Sequence, residues 1–198
     1  MKKAFVLSAL LGLLAGNILA QEPVKKHEVY GGIGLWGTNT IIDAFSDIIV
    51  TGLTGGNYSS GNDNYLGEFH LGYKYGLSER AALGLTFAYA SNSADARLNG
   101  QKTGEFNSNY YTFAAEFDYR YLSRPKLTLY GSVGAGATIY QQKYTPDADD
   151  TDTRKSNDTY FNFQLSPIGI KYGERFGIFA EAGFGYKGIL SVGLFGRF

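Results

Sequence analysis

Nine ionisable residues stand on one side of an alternating pattern: Glu68, His70, Lys74, Glu116, Asp118, Arg120, Lys171, Glu181 and Arg197. Four are acids, four are bases and one is a histidine. Charges of both signs on extended segments suit ion pairing across an enclosed space, because a lone desolvated charge costs several kcal/mol. They read as a salt-bridge network that spans and plugs a narrow interior, with a selective ion path as the alternative. Acyl-transfer or hydrolytic chemistry needs a histidine beside a nucleophile and an acid. The chain has 2 histidines. His27 lies near the start of the mature chain and reads as outside the main structure. His70 shares a strand face with Glu68, about 7 Å away. No serine sits two residues from either histidine on the same face. Cysteine is absent, which excludes a disulfide framework, a cysteine zinc site and a thiol nucleophile. Gly131, Gly134 and Gly136 are strand glycines and not a phosphate cradle, since no helix follows them. No catalytic, cofactor-binding or metal-binding residue is assigned.

These charges are positioned by segments of period-2 alternation. Residues 111–121 set Tyr111, Phe113, Ala115, Phe117, Tyr119 and Tyr121 against Thr112, Ala114, Glu116, Asp118 and Arg120. Residues 65–75 set Tyr65, Gly67, Phe69, Leu71, Tyr73 and Tyr75 against Leu66, Glu68, His70, Gly72 and Lys74. Residues 28–36, 81–89, 127–139, 160–172, 176–184 and 190–198 behave alike, which makes eight strands. In 160–172 the phase changes at Ser166-Pro167, where a β-bulge accounts for the slip. Connections 76–80, 123–126 and 173–175 are tight. Connections 37–64, 90–109 and 141–159 are long and polar, and 185–189 is short. Long and short connections alternate, so the chain reads as an up-and-down meander with its long loops at one end.

Two long loops carry patterns of their own. Ile41, Ile42, Phe45, Ile48, Ile49 and Leu53 recur at helical spacing, with Thr40 and Asp43 placed as a capping box. A short amphipathic helix over 40–53 is expected as a cap over the mouth or at the rim, with an extra strand pair as the alternative. Asp147, Asp149, Asp150, Asp152 and Asp158 have the look of a calcium loop, but the sixth position holds Asp152 where glycine is needed, and the last is Asp158 where glutamate is needed. They read as a solvated acidic loop near a cation-bridged lipopolysaccharide surface.

The chain begins with Lys2 and Lys3, an apolar stretch over 4–14 and a small residue at Ala20. That reads as a secretory signal peptide over 1–20, leaving a mature domain of 21–198. Lys+Arg and Asp+Glu are both 18, so no basic footprint for nucleic acid exists. Beyond Ala20 nothing approaches the roughly 18 continuous apolar residues of a spanning helix.

The apolar faces are continuous and bulky, whereas the opposite faces mix charge with Gly, Ala, Ser and Thr. An eight-stranded interior holds side chains or one small ligand and has no room for all these rings. The apolar set therefore points out, and outward requires lipid. Tyr73, Tyr75, Tyr119, Tyr121, Tyr172, Phe176 and Phe198 fall at the short-turn end. Tyr65, Tyr89, Tyr111, Phe161 and Phe184 fall at the long-loop end, so the two sets form two aromatic girdles. On this pattern and on the final segment Leu190-Ser191-Val192-Gly193-Leu194-Phe195-Gly196-Arg197-Phe198, the chain resembles the small eight-stranded outer-membrane barrels of Gram-negative bacteria, the OmpX/OmpA-barrel type. The resemblance implies an all-β, antiparallel transmembrane barrel with short periplasmic turns and long extracellular loops. It implies Val192, Leu194 and Phe198 as a signal read by the barrel-assembly machinery, with Gly196 a departure from an unbroken apolar series. It also implies outer-membrane lipid and lipopolysaccharide as surroundings. The expected role is structural or interactive at the cell surface: envelope integrity, adhesion or host-factor binding through loops. A narrow pore for ions or small solutes is the alternative. Barrels of this size include lipid-modifying enzymes, but their histidine-serine constellation is missing here.

Overall fold

A computed structural model describes residues 26–38, 58–99, 101–147 and 154–198. Eight strands follow in order: β1 His27–Leu35, β2 Tyr58–Gly76, β3 Ala81–Leu98, β4 Gln101–Ser123, β5 Leu127–Pro146, β6 Arg154–Gly173, β7 Phe176–Gly185 and β8 Leu190–Arg197. Each pairs antiparallel with its sequence neighbour, and β1 pairs with β8 to close the barrel. Closure removes both free edges at this level.

The alternation is inverted relative to a water-soluble protein. Leu71, Leu85, Phe113, Ile168 and Leu194 face outward and are exposed. Glu68, Lys74, Glu116, Asp118 and Lys171 face inward and are at most 4% exposed. Small residues on the inner face, such as Ala82, Ala88, Thr86 and Ser132, leave room for those chains. A wall apolar outside and charged inside is stable only where hydrocarbon replaces water around it. Tyr73, Tyr119, Tyr121, Tyr172 and Phe176 ring the short-turn end.

Two bulges adjust the pattern. At Ser166 and Pro167 the register shifts against both β5 and β7. One extra β6 residue places a proline, which lacks an N–H, where no ladder bond is needed. Its carbonyl accepts from the Tyr121 hydroxyl at 3.1 Å. The second bulge departs from the sequence reading. Gly67 does not continue the outer face; it sits at φ 84° beside a register shift, and it and Glu68 are both buried.

Strand length is the larger correction. Segments 81–89 and 111–121 do not end at the aromatic girdle: β3 continues to Leu98 and β4 begins at Gln101. Asn99, at φ 52°, opens the tight turn between them, and Asn-Gly suits such a turn because both residues tolerate positive φ. Likewise β5 runs to Pro146 and β6 starts at Arg154, so Asp158 is a strand residue opposite Tyr140 and not part of a loop. Pairing of β1 with β2 stops at Gly34–Glu68, and pairing of β6 with β7 stops at Gln164–Gly185. Above those rungs β2 to β6 continue as one sheet. From Tyr89 to Leu98 it rises by about 30 Å before tilt.

The 40–53 segment and Asp149, Asp150 and Asp152 lie outside the described residues, as do residues 1–20. Trp36, at φ 57°, ends β1, and the chain then turns inward so that Thr38 donates to Asn162 Oδ1 on β6 at 3.1 Å.

Candidate functional site

The lumen holds all nine ionisable residues singled out in the sequence, in three levels. At the short-turn end Glu28 accepts from Lys171 at 2.5 Å and from Arg197 Nε at 2.8 Å. Arg120, only partly buried, donates to the Glu79 carbonyl at 3.1 Å. Lys171 lies 3.6 Å from Asp118 and stands over the Tyr130 ring at 4.3 Å. At the middle level Lys74 meets Asp118 at 2.6 Å and Glu116 at 3.0 Å. Lys187 meets Glu181 at 2.7 Å and Glu116 at 3.2 Å. Tyr186 donates to Glu116 at 2.7 Å and Tyr30 at 3.0 Å, while Tyr130 donates to Glu181 at 2.6 Å. Glu116 thus takes four donors, which fills the acceptor capacity of a carboxylate. Nearer the long-loop end Glu68 lies beneath Gly37, and His70 Nε2 is 3.2 Å from Ser191 Oγ. Thr112, Thr138 and Asn162 form a hydrogen-bonded chain above it, at 2.7 and 2.9 Å.

Four members were missing from the sequence reading. Glu28 and Tyr30 are in phase opposite Val29, Ile33 and Leu35, so the alternation already pointed them inward. Tyr186 and Lys187 carry no periodic signal because they lie in the 185–189 connection. That connection folds into the barrel, and both side chains are 0% exposed. Gly185 at φ 145° and Gly188 at φ 91° permit the inward turn. Gln164 Oε1 accepts from the Lys187 backbone N–H at 2.8 Å, and the Leu35 carbonyl accepts from Ile189 at 2.8 Å. Glu28 and Lys187 raise the described lumen charges to five acids and five bases, so the interior stays balanced.

His27 is corrected. It belongs to β1, pairs with Tyr75, and exchanges two backbone hydrogen bonds with Phe198. Its ring stacks on Phe198 at 5.9 Å and bonds the Tyr73 hydroxyl at 2.6 Å. The His70–Ser191 pair is also a tertiary product, since a search along one strand misses a serine two strands away. At 4% and 1% exposure, beside Tyr30 and Phe179, the pair is closed to a substrate. Among the described residues no group of three or more His, Asp or Glu is placed to hold a metal ion. Val192, Leu194 and Phe198 all face outward into the lipid zone.

The sheet above the barrel reverses its polarity. Its outer side carries Ser91, Ser93, Asn107, Asn109, Gln141 and Lys143, where the wall below carries Leu and Phe. Its lumen side carries two aromatic pairs, Tyr110–Tyr140 and Phe106–Tyr144, each 4.9 Å between ring centroids. Near the tip Lys102 bonds Asp95 at 2.7 Å and Arg97 adds a 3.4 Å contact. The Lys102 hydrogen bond holds the Asp95 carboxyl below the ordinary range, and the same bond raises Lys102.

No protein-family model matches the sequence, and no curated protein matches it. Among solved structures the chain is similar to Ail, the attachment invasion locus protein of Yersinia pestis, at 16% identity over 87% of this chain and 98% of that chain, with a TM-score of 0.45. The same protein in complex with the heparin analogue sucrose octasulfate matches with the same values.

Proposed function

We propose that this chain is an exported outer-membrane barrel that acts at the cell surface by binding through its protruding sheet. The observation that carries this reading is the continuation of β2 to β6 past the last rungs of β1, β7 and β8. Ordering a further hairpin of this length costs conformational entropy, and lipid anchoring does not require it. Binding surfaces held on a rigid scaffold are its natural use. The lumen, crossed by balanced ion pairs, supports a structural plug rather than an ion path. Residues 1–20 act as the cleaved export signal. Val192, Leu194 and Phe198 serve the assembly machinery, and lipopolysaccharide surrounds the girdle at the long-loop end. Adhesion to a host surface or capture of a host factor is the role of the sheet.

Shortening both hairpins tests the reading. Joining β3 to β4 at the Ser93–Asn107 rung and β5 to β6 at the Gln142–Ser156 rung leaves the barrel rungs intact. Cells carrying the shortened barrel, shown to be inserted by its heat-dependent gel mobility, should lose attachment to host cells. Undiminished attachment would overturn the proposal.

A further inference from the structure

The lipid-facing wall is not uniformly filled. Where β6, β7, β8 and β1 meet, a groove of about 630 Å³ runs along the outside, lined by Gly31, Ile170, Tyr172, Ile178, Ala180 and Leu194 among others. Gly31 and Ala180 create it, since neighbouring outward positions carry Ile33, Val192 and Ile178. Behind it the Phe179 ring closes against Gly32 and Gly193, so the groove is a notch in a sealed wall and not an opening. Its volume falls within the roughly 300–1,000 Å³ typical of small-molecule sites. Its lining is almost wholly apolar.

One end of the groove reaches the Tyr172–Ile178 pair at the tyrosine girdle. Three residues beyond both members of that pair, in the turn between β6 and β7, stands exposed Arg175. The neighbouring turn adds exposed Arg124 and Lys126, and is held alongside by a 2.9 Å bond from the Gly173 N–H to the Lys126 carbonyl. Glu174 is the one acid in these two turns. An apolar trough beneath a cationic turn, at headgroup depth, matches an acyl chain below a phosphate.

We propose that this groove binds an anionic diacyl phospholipid of the phosphatidylglycerol type from the leaflet at the short-turn end. One acyl chain lies along Gly31 and Ala180, and the phosphate faces Arg175. The assignment rests on the membrane reading above, so insertion is measured separately. The full chain is refolded into vesicles of equal phosphatidylglycerol, phosphatidylethanolamine and phosphatidylcholine, and protease protection establishes insertion. A barrel that stays outside the bilayer refutes the membrane reading. Native mass spectrometry of the released, inserted barrel then reads which lipid it keeps. One phosphatidylglycerol should be retained, with about fivefold preference over the zwitterionic lipids for each engaged cation. Gly31→Leu fills the trough; its added Cβ meets only the His70 carbonyl at 3.5 Å and Leu71 at 3.6 Å, both ordinary contacts, so the barrel should form and retention should vanish. The triple change Arg124→Gln, Lys126→Gln, Arg175→Gln should keep a lipid but lose the charge preference. An inserted wild type with no preference, a Gly31→Leu barrel that retains lipid equally, a triple variant that still selects phosphatidylglycerol, or a lipid-free dimer joined through this face would each overturn the assignment.

Discussion

Replacing Lys187 by methionine removes one charge and keeps most of the volume. In the native barrel its ammonium lies 2.7 Å from Glu181 and 3.2 Å from Glu116, and none of the three is more than 3% exposed. Glu116 keeps Lys74 at 3.0 Å, but Glu181 loses its nearest cation and retains hydroxyl donors from Tyr130 and Ser166. Removing one partner of a buried pair costs about 3–5 kcal/mol, because the other charge stays desolvated. The folded-to-unfolded ratio should therefore drop by about 10²–10⁴. Neutralising both sides, Lys187→Met with Glu181→Gln, should recover about 1–3 kcal/mol of that loss as a coupling energy. Guanidinium unfolding in lipid vesicles, followed by the fluorescence of Trp36 and by heat-dependent gel mobility, measures both. A single variant within about 1 kcal/mol of wild type would refute the reasoning, since that is the value of an exposed pair. So would a double variant no more stable than the single one.

Two further predictions follow from the same geometry. A Cβ at Gly34 would run into the Lys187 backbone, so Gly34→Ala should unseat the 185–189 connection and cost about 1–3 kcal/mol, whereas Gly31→Ala should be close to neutral in the same unfolding assay. At the sheet tip, the folded-state carboxyl of Asp95 is lowered, so its contribution is complete above the ordinary carboxylate range and is lost as pH falls through the lowered value. Lys102 is raised, so its side of the bond is complete below the ordinary lysine range and is lost only as pH rises through the raised value. Amide exchange at the β3–β4 tip should be slow between those limits and accelerate in acid or high salt; equal protection in strong acid and at neutral pH would exclude this pair as the cause of order there.

The sequence by itself determined the wall. Period-2 alternation along eight segments, bulky residues on one side and balanced charge on the other, suffices for an inverted barrel, because a one-residue slip would turn every lipid-facing side chain inward. Ser166-Pro167 announced its bulge, since proline cannot donate to a ladder. The strands that outlast the membrane were hidden by polar composition: above the girdle the outer side turns polar and the aromatic side faces inward, so the apolar outer face that marks a spanning strand disappears. Tertiary structure alone decided the middle of the lumen. Whether Lys187 pairs with Glu116 and Glu181 depends on a connection folding inward between two positive-φ glycines, and no periodicity governs a connection. His70 meets Ser191, and His27 meets Phe198, only because closure brings β8 against β1. Ring closure joins residues far apart in the chain, and spacing along a single strand holds no record of it.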